Sequence, residues 1–171
     1  WVDVTLNQEI TATDISNNKL RFVPDANENG TSYTSFGFQV SDGTAYSSSS
    51  NTMTVNVTPV NDAPVGVNDT DAVVEDATVS QTSGSGLLVA DDTDADGDTL
   101  TVTQISVTDS GSNSAVSSGT DSSNGTSITG TYGTLVVGAD GTYTYVADQA
   151  AADALDAGET APDSFTYTVS D

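Results

Sequence analysis

The chain has 171 residues, no cysteine and no histidine, and its formal charge is −23, with Lys19 and Arg21 the only basic residues. Such an acidic surface cannot neutralise phosphates, which excludes nucleic acid and argues against anionic membrane surfaces and direct membrane insertion. Without histidine or cysteine there is no histidine-based triad, zinc site or disulfide, so the chain reads as no enzyme and any staple must be another kind of ion.

The predicted elements are almost all strands. Val2, Val4 and Leu6 alternate with polar residues, as do Leu20 and Phe22, then Phe36, Phe38 and Val40, then Met53, Val55 and Val57. Period two with polar partners predicts strands buried on one face. PVNDAPV, residues 59–65, follows as a short linker stiffened by two prolines. It divides the chain into residues 1–62 and residues 63–171.

In the second part Leu100 and Val102 change phase to Ile105 and Val107, which predicts a β-bulge near Thr103 and Gln104. Residues 109–125 are rich in Ser, Gly and Asn and read as a mobile loop in which Asp121 has no acidic neighbour. Leu135 and Val137, then Tyr143 and Tyr145, then Phe165, Tyr167 and Val169 restore the alternation. The aromatics on these strands read as core. The only helical signal is a short Ala-rich turn, residues 148–157, ended by Gly158.

The chain also repeats itself. LRFVPDANENGTSYTSFGFQVSDG (20–43) and GTYTYVADQAAADALDAGETAPDSFTYTVSD (141–171) share an aromatic strand, a loop and a strand of the form SFxxxVSD. A repeat on this scale signals tandem modules. In this register the first module lacks the strands that would precede Trp1, and the second stops before its last strand. The chain is therefore expected to be an internal piece whose modules expose sheet edges, unless strands are borrowed from a neighbour.

The strongest chemical signal is DTDADGD, which sets carboxylates at Asp92, Asp94, Asp96 and Asp98 with Gly97 for a sharp turn. Alternate carboxylates can converge on a hard cation as the backbone curls round it. The opening is similar to an EF-hand loop, but that loop closes with a Glu where this chain has Thr103, and no flanking helices are readable. Four carboxylates repel one another without a counterion, which favours calcium over a merely solvated acidic turn.

These motifs acquire a context through resemblance. Residues 63–171 resemble a VCBS-type repeat of giant bacterial RTX adhesins, through DDTDADGDTLT, YGTLVVGADGTYTY, ALDAGET and DSFTYTVSD. The first part resembles the related bacterial cadherin-like modules, through KLRFVPDANENG, SFGFQVSDG and NTMTVNVTPVNDAP. The resemblance implies tandem all-β, Greek-key, Ig-like or cadherin-like β-sandwich modules, the first partial. It also implies calcium at domain junctions. Asn61 and Asp62 match the family's linker ligands, although Pro59 replaces its first acidic position and its last Asn is missing. Ala90, Asp92 and Asp94 match its B–C loop. Asp171 and, one module earlier, Asp42 match its F–G loop. Glu75, with Asp76 beside it, matches its strand-A acid. The reduced linker implies fewer ions, with Asp96 and Asp98 supplying what it lacks.

By family topology the B–C loop and the end of strand F meet beside the incoming linker, so residues 92–98, Asp171 and Asp62 are expected to be neighbours. Glu75 is expected at the opposite end; it and Asp76 read equally well as edge charges that block aggregation. The implied function is a calcium-rigidified extender of a secreted, cell-surface adhesin in adhesion and biofilm formation, with neighbouring repeats of the same chain as partners. The alternative is a module that binds polysaccharide or another copy of itself. A sugar site would want exposed aromatics, and the sole tryptophan is Trp1. A carboxylate-pair glycosidase lacks a recognisable acid/base context.

Overall fold

The computed structural model describes residues 1–84, 87–108 and 111–171. The chain divides into two compact units, Trp1–Val60 and Asn61–Asp171.

The first unit carries one short helix and one hairpin among its regular elements. Helix α1 (Ala12–Ser16) is capped by Thr11, whose Oγ1 accepts from Asp14 N–H at 3.0 Å and donates to Asp14 Oδ2 at 2.7 Å. Thr11 is thus a side-chain N-cap whose hydroxyl is in turn held by the Asp14 carboxylate three residues on. Strands β1 (Gly30–Phe38) and β2 (Asn51–Val57) pair antiparallel, with Phe36 opposite Met53. Arg21 stacks on Trp1 at 4.1 Å, and Lys19 bonds Asp14 at 3.0 Å. The expected strands at Val2–Val4–Leu6 and Leu20–Phe22 do not form. Alternation gives a strand only where a partner completes the ladder; here Val2 is 87% and Leu6 93% exposed.

The second unit is an all-β sandwich. Its strands are β3 (Thr78–Gln81), β4 (Thr101–Val107), β5 (Asn113–Ala115), β6 (Thr126–Thr129), β7 (Thr134–Val137), β8 (Tyr143–Val146) and β9 (Phe165–Ser170). One sheet has the order β3-β8-β7-β6 and the other β5-β4-β9. The chain changes sheet after β3, after β5 and after β8. Val102, Ile105 and Val107 of β4 meet Ile128, Leu135, Val137 and Tyr143 of the facing sheet in one core, with Phe165 and Tyr167 of β9 packed against it. Burying each such aliphatic side chain contributes about 1.5–3 kcal/mol, which must substitute for the missing disulfides.

The bulge in β4 lies where the phase change places it. Val102 pairs with Val169 and Gln104 with Thr168, so Thr103 is the extra residue. It returns Ile105 and Val107 to the buried face.

One expectation of this unit is corrected. Residues 111–125 are not a loose loop: they hold β5, and Val116 is buried with its N–H on Thr103 O at 2.9 Å; Asp109 and Ser110 of that stretch lie outside the described residues. Residues 148–157 form successive turns, with Ala152 N–H on Gln149 O and Leu155 N–H on Ala152 O.

Candidate metal centre

The chain enters the second unit alongside the acidic loop and is fastened to it at successive points. Asp62 N–H donates to Asp96 Oδ2 at 2.7 Å. Val65 and Thr93 exchange both backbone hydrogen bonds, at 2.7 and 3.0 Å. Val67 N–H donates to Asp92 Oδ1 at 2.6 Å. Asn61 donates its side-chain amide to Asp171 Oδ2, at the end of β9. Asn61, Asp62, Asp96 and Asp171 are therefore neighbours although they come from three distant stretches.

Within the loop, Asp94 Oδ1 accepts the N–H groups of Asp96 at 2.8 Å and Asp98 at 3.2 Å. Gly97, at φ 78°, makes the left-handed turn that allows this. One carboxylate oxygen each from Asp94, Asp96 and Asp98 lies within 4.8 Å of the others. That convergence suits an ion: Asp94 Oδ2 is buried without a hydrogen-bond partner. A buried ionised oxygen with neither donor nor cation is costly, and an all-oxygen donor set is the chemistry of a hard divalent cation. The residues present fit such a metal.

Asp92 belongs to the loop but stands apart from that trio. It is nine-tenths buried and faces the core side, towards Val67 and Tyr167. Glu75 and Asp76 lie elsewhere. Asp76, at φ 59°, donates its N–H to Ala147 O just past β8, whereas Asp140, before β8, lines the same groove as the acidic loop. The pair thus sits at the other end of that strand. Asp42 is in the first unit, where its Oδ1 accepts from Thr44 N–H, Thr44 Oγ1 and Ala45 N–H. These bonds, the Thr44 hydroxyl first, hold its carboxyl down at about 2.

Several residues of this end of the sandwich have no local signature in the sequence. Asp92, Asp94, Asp98, Asp121 and Asp140 together line a groove of about 610 Å³, so Asp121 does have acidic company, brought by folding of the 111–125 segment. Three strand tyrosines have polar roles besides filling the core. Tyr143 donates to Asp71 Oδ2 at 3.0 Å, Tyr145 to Asp163 Oδ2 at 2.9 Å, and Tyr167 lies 2.8 Å from Asp69 Oδ2. Burial first, then these carboxylates, push all three phenols above their ordinary range. A tyrosine in period two reads as core; its hydroxyl's partner, far away in sequence, leaves no local trace.

The model of the bacterial cadherin-like domain matches residues 61–171, well over half of the chain. The chain belongs to that family, whose modules are extracellular, adhesion-type and non-catalytic. No curated protein and no solved structure matches it. Among the described residues, no helix is long and apolar enough to cross a membrane.

Proposed function

We propose that this chain is a calcium-stiffened extender segment of a secreted bacterial repeat adhesin of the RTX type, serving adhesion and biofilm formation. The observation that carries the reading is the convergence of Asp94, Asp96 and Asp98, with Asp94 Oδ2 buried and unpartnered, at the point where Asp62 is fastened to the loop. Asp94, Asp96 and Asp98 would hold the calcium, with Asp171 and Asn61 beside them. The ion would supply positive charge to a loop that otherwise repels itself.

The mechanical consequence follows from the hydrogen bonds. Asp96 both binds the ion and accepts from the entering backbone, so calcium would fix the entry of the chain into the sandwich. A repeat whose entry is rigid transmits orientation to the next repeat of the same chain. No disulfide competes for that role.

Thermal melts test the calcium step. Binding to the folded state alone adds about 2.7 kcal/mol at a hundredfold excess over Kd. Extracellular modules bind at about 10⁻⁴–10⁻³ M, so millimolar calcium is required. The expected result is a higher midpoint in calcium than in chelator at matched ionic strength. Equal midpoints would remove the calcium reading.

A further inference from the structure

Two asparagines of this chain stand directly before a glycine, Asn29 and Asn124, and each pair is followed by a threonine. The local sequences are the same, so a difference in their chemistry has to come from the fold. In an Asn-Gly pair the side-chain amide meets the least hindered backbone nitrogen, because glycine has no Cβ and adopts backbone angles closed to other residues. Where the asparagine is free to turn, that nitrogen can attack the side-chain Cγ and close a succinimide ring.

The fold leaves this path open at Asn29. The residue is exposed, lies just before β1, and its side chain has no hydrogen-bond partner among the described residues. Gly30 takes φ 152°, and no atom lies within 4 Å of where its Cβ would stand. Asn27 at φ 60° and Ser32 at φ 58° interrupt the regular backbone on either side, and the ladder to β2 is irregular between Gly30 and Thr34. At Asn124 the same path is closed. Its Oδ1 accepts the Asp121 N–H at 2.9 Å, and its own N–H donates to Asp121 O at 3.2 Å. Gly125 is pressed against the backbone carbonyl of Val137, with no room for a Cβ. Turning the Asn124 side chain onto the Gly125 nitrogen breaks the first of those bonds and requires the turn to open.

We infer that Asn29 is a self-modification site of the folded chain and that Asn124 is protected. The Gly30 nitrogen gives its proton to base and bonds to Asn29 Cγ. The Cγ–Nδ2 bond breaks, and Nδ2 takes a proton from water and leaves as ammonia. Water then opens the ring at either carbonyl, which leaves an aspartate or an isoaspartate at position 29. Water is the only co-reactant. The product carries one more negative charge. Its isoaspartate form also puts an extra carbon in the main chain just before Gly30, the residue that pairs with Val57. The mark therefore falls on the end of the β1–β2 hairpin.

The experiment keeps the whole 171-residue chain folded in mildly alkaline buffer made with heavy-oxygen water, beside a sample unfolded in denaturant. Both are digested, and the peptides holding Asn29 and Asn124 are weighed and separated from their isoaspartate forms. In the folded chain Asn29 should convert at least about tenfold faster than Asn124, which must first break a hydrogen bond and open its turn. In denaturant the two should convert at similar rates. The Asn29 product should carry heavy oxygen and include isoaspartate, which direct hydrolysis of the amide does not make. Asn29→Gln should leave that peptide unlabelled. Equal rates at the two sites in the folded chain would overturn the proposal. So would an Asn29 that converts only in denaturant, or one that yields aspartate without isoaspartate.

Discussion

The backbone N–H of Asp62 donates to Asp96 Oδ2 at 2.7 Å, across 34 positions of sequence. That bond joins the entry of the cadherin-like unit to the middle of its acidic loop. If Asp96 also binds an ion, the carboxylate is held from both sides and the bond opens less often. The Asp62 and Val65 amides should therefore exchange with solvent more slowly in calcium than in chelator, while amides of β1 and β2 should not change. Exchange measured residue by residue checks this, since local opening is what it reports. Equal protection at Asp62 in both conditions would uncouple the entry from the ion.

Asp96→Ala should weaken calcium binding strongly, and Asp42→Ala should not. The first removes one oxygen of the convergent trio. The second removes a carboxylate whose Oδ1 already serves a turn in the other unit. Losing one carboxylate also relaxes repulsion among those that remain, which offsets the loss of the Asp62 N–H bond in chelator. Calorimetric titration of both variants checks the order. Identical isotherms would reduce the acidic loop to a turn.

The parts of this architecture that were legible are those with local causes. The bulge at Thr103 announces itself because an extra residue shifts the phase from Val102 to Ile105. The acidic loop is legible because its carboxylates alternate within seven residues. Other features were missed although their signal was present: the N-cap at Thr11, with Asp14 three residues on, is one. The Val2–Leu6 stretch failed for a different reason, since its pattern is that of a strand but no ladder partner reaches it. Asp69 and Asp163 could not be found at all. Each gains its meaning from a partner far away in sequence, and nothing nearby marks which aspartate that will be.

The Asp42 carboxyl should titrate near pH 2, well below the ordinary 3.8. A depressed carboxyl contributes stability above its unfolded value. That contribution is lost as pH falls from about 4 through the folded value. The group is exposed, so the titration itself is the useful readout. Carboxyl carbon shifts followed by NMR should place Asp42 lowest among the first unit's acids, and Thr44→Val should move it up by removing the hydroxyl donor. No movement in Thr44→Val would assign the depression to the backbone N–H groups of Thr44 and Ala45.

Ile105 is 1% exposed and lies just past the bulge, in the centre of the core. Ile105→Ala should cost about 2–5 kcal/mol, the range for truncating a buried aliphatic side chain. Thr103 is exposed on the same strand, and Thr103→Ala should cost far less. Denaturant unfolding in chelator compares the two without the contribution of ions. Equal costs would mean that the bulge does not set the burial of β4.

Asp163 is the clearest case of an acid that is structural. Its carboxylate accepts the N–H groups of Thr131 at 3.0 Å, Tyr132 at 3.0 Å and Gly133 at 3.1 Å, and the Tyr145 hydroxyl at 2.9 Å. The three amides belong to the turn between β6 and β7, while Asp163 comes from the segment entering β9 in the other sheet. The carboxylate therefore fastens one sheet's turn to the other sheet's edge. Space is reserved for it: a Cβ at Gly130 would collide with the Asp163 carboxylate. Hydrogen bonds to a charged group contribute about 1.5–3 kcal/mol, and donors left unpaired add their own cost. Asp163→Ala should accordingly lower stability by about 3 kcal/mol, with Asp163→Asn in between because its amide keeps one acceptor oxygen. Gly130→Ala should destabilise by displacing the same carboxylate. Neither Asp163→Ala nor Gly130→Ala touches the Asp94, Asp96 and Asp98 trio, so calcium stoichiometry by calorimetry should be unchanged in both. Parent-like unfolding of Asp163→Ala would show that water replaces the clamp at no cost, and a lost calcium would move Asp163 from the scaffold to the metal sites.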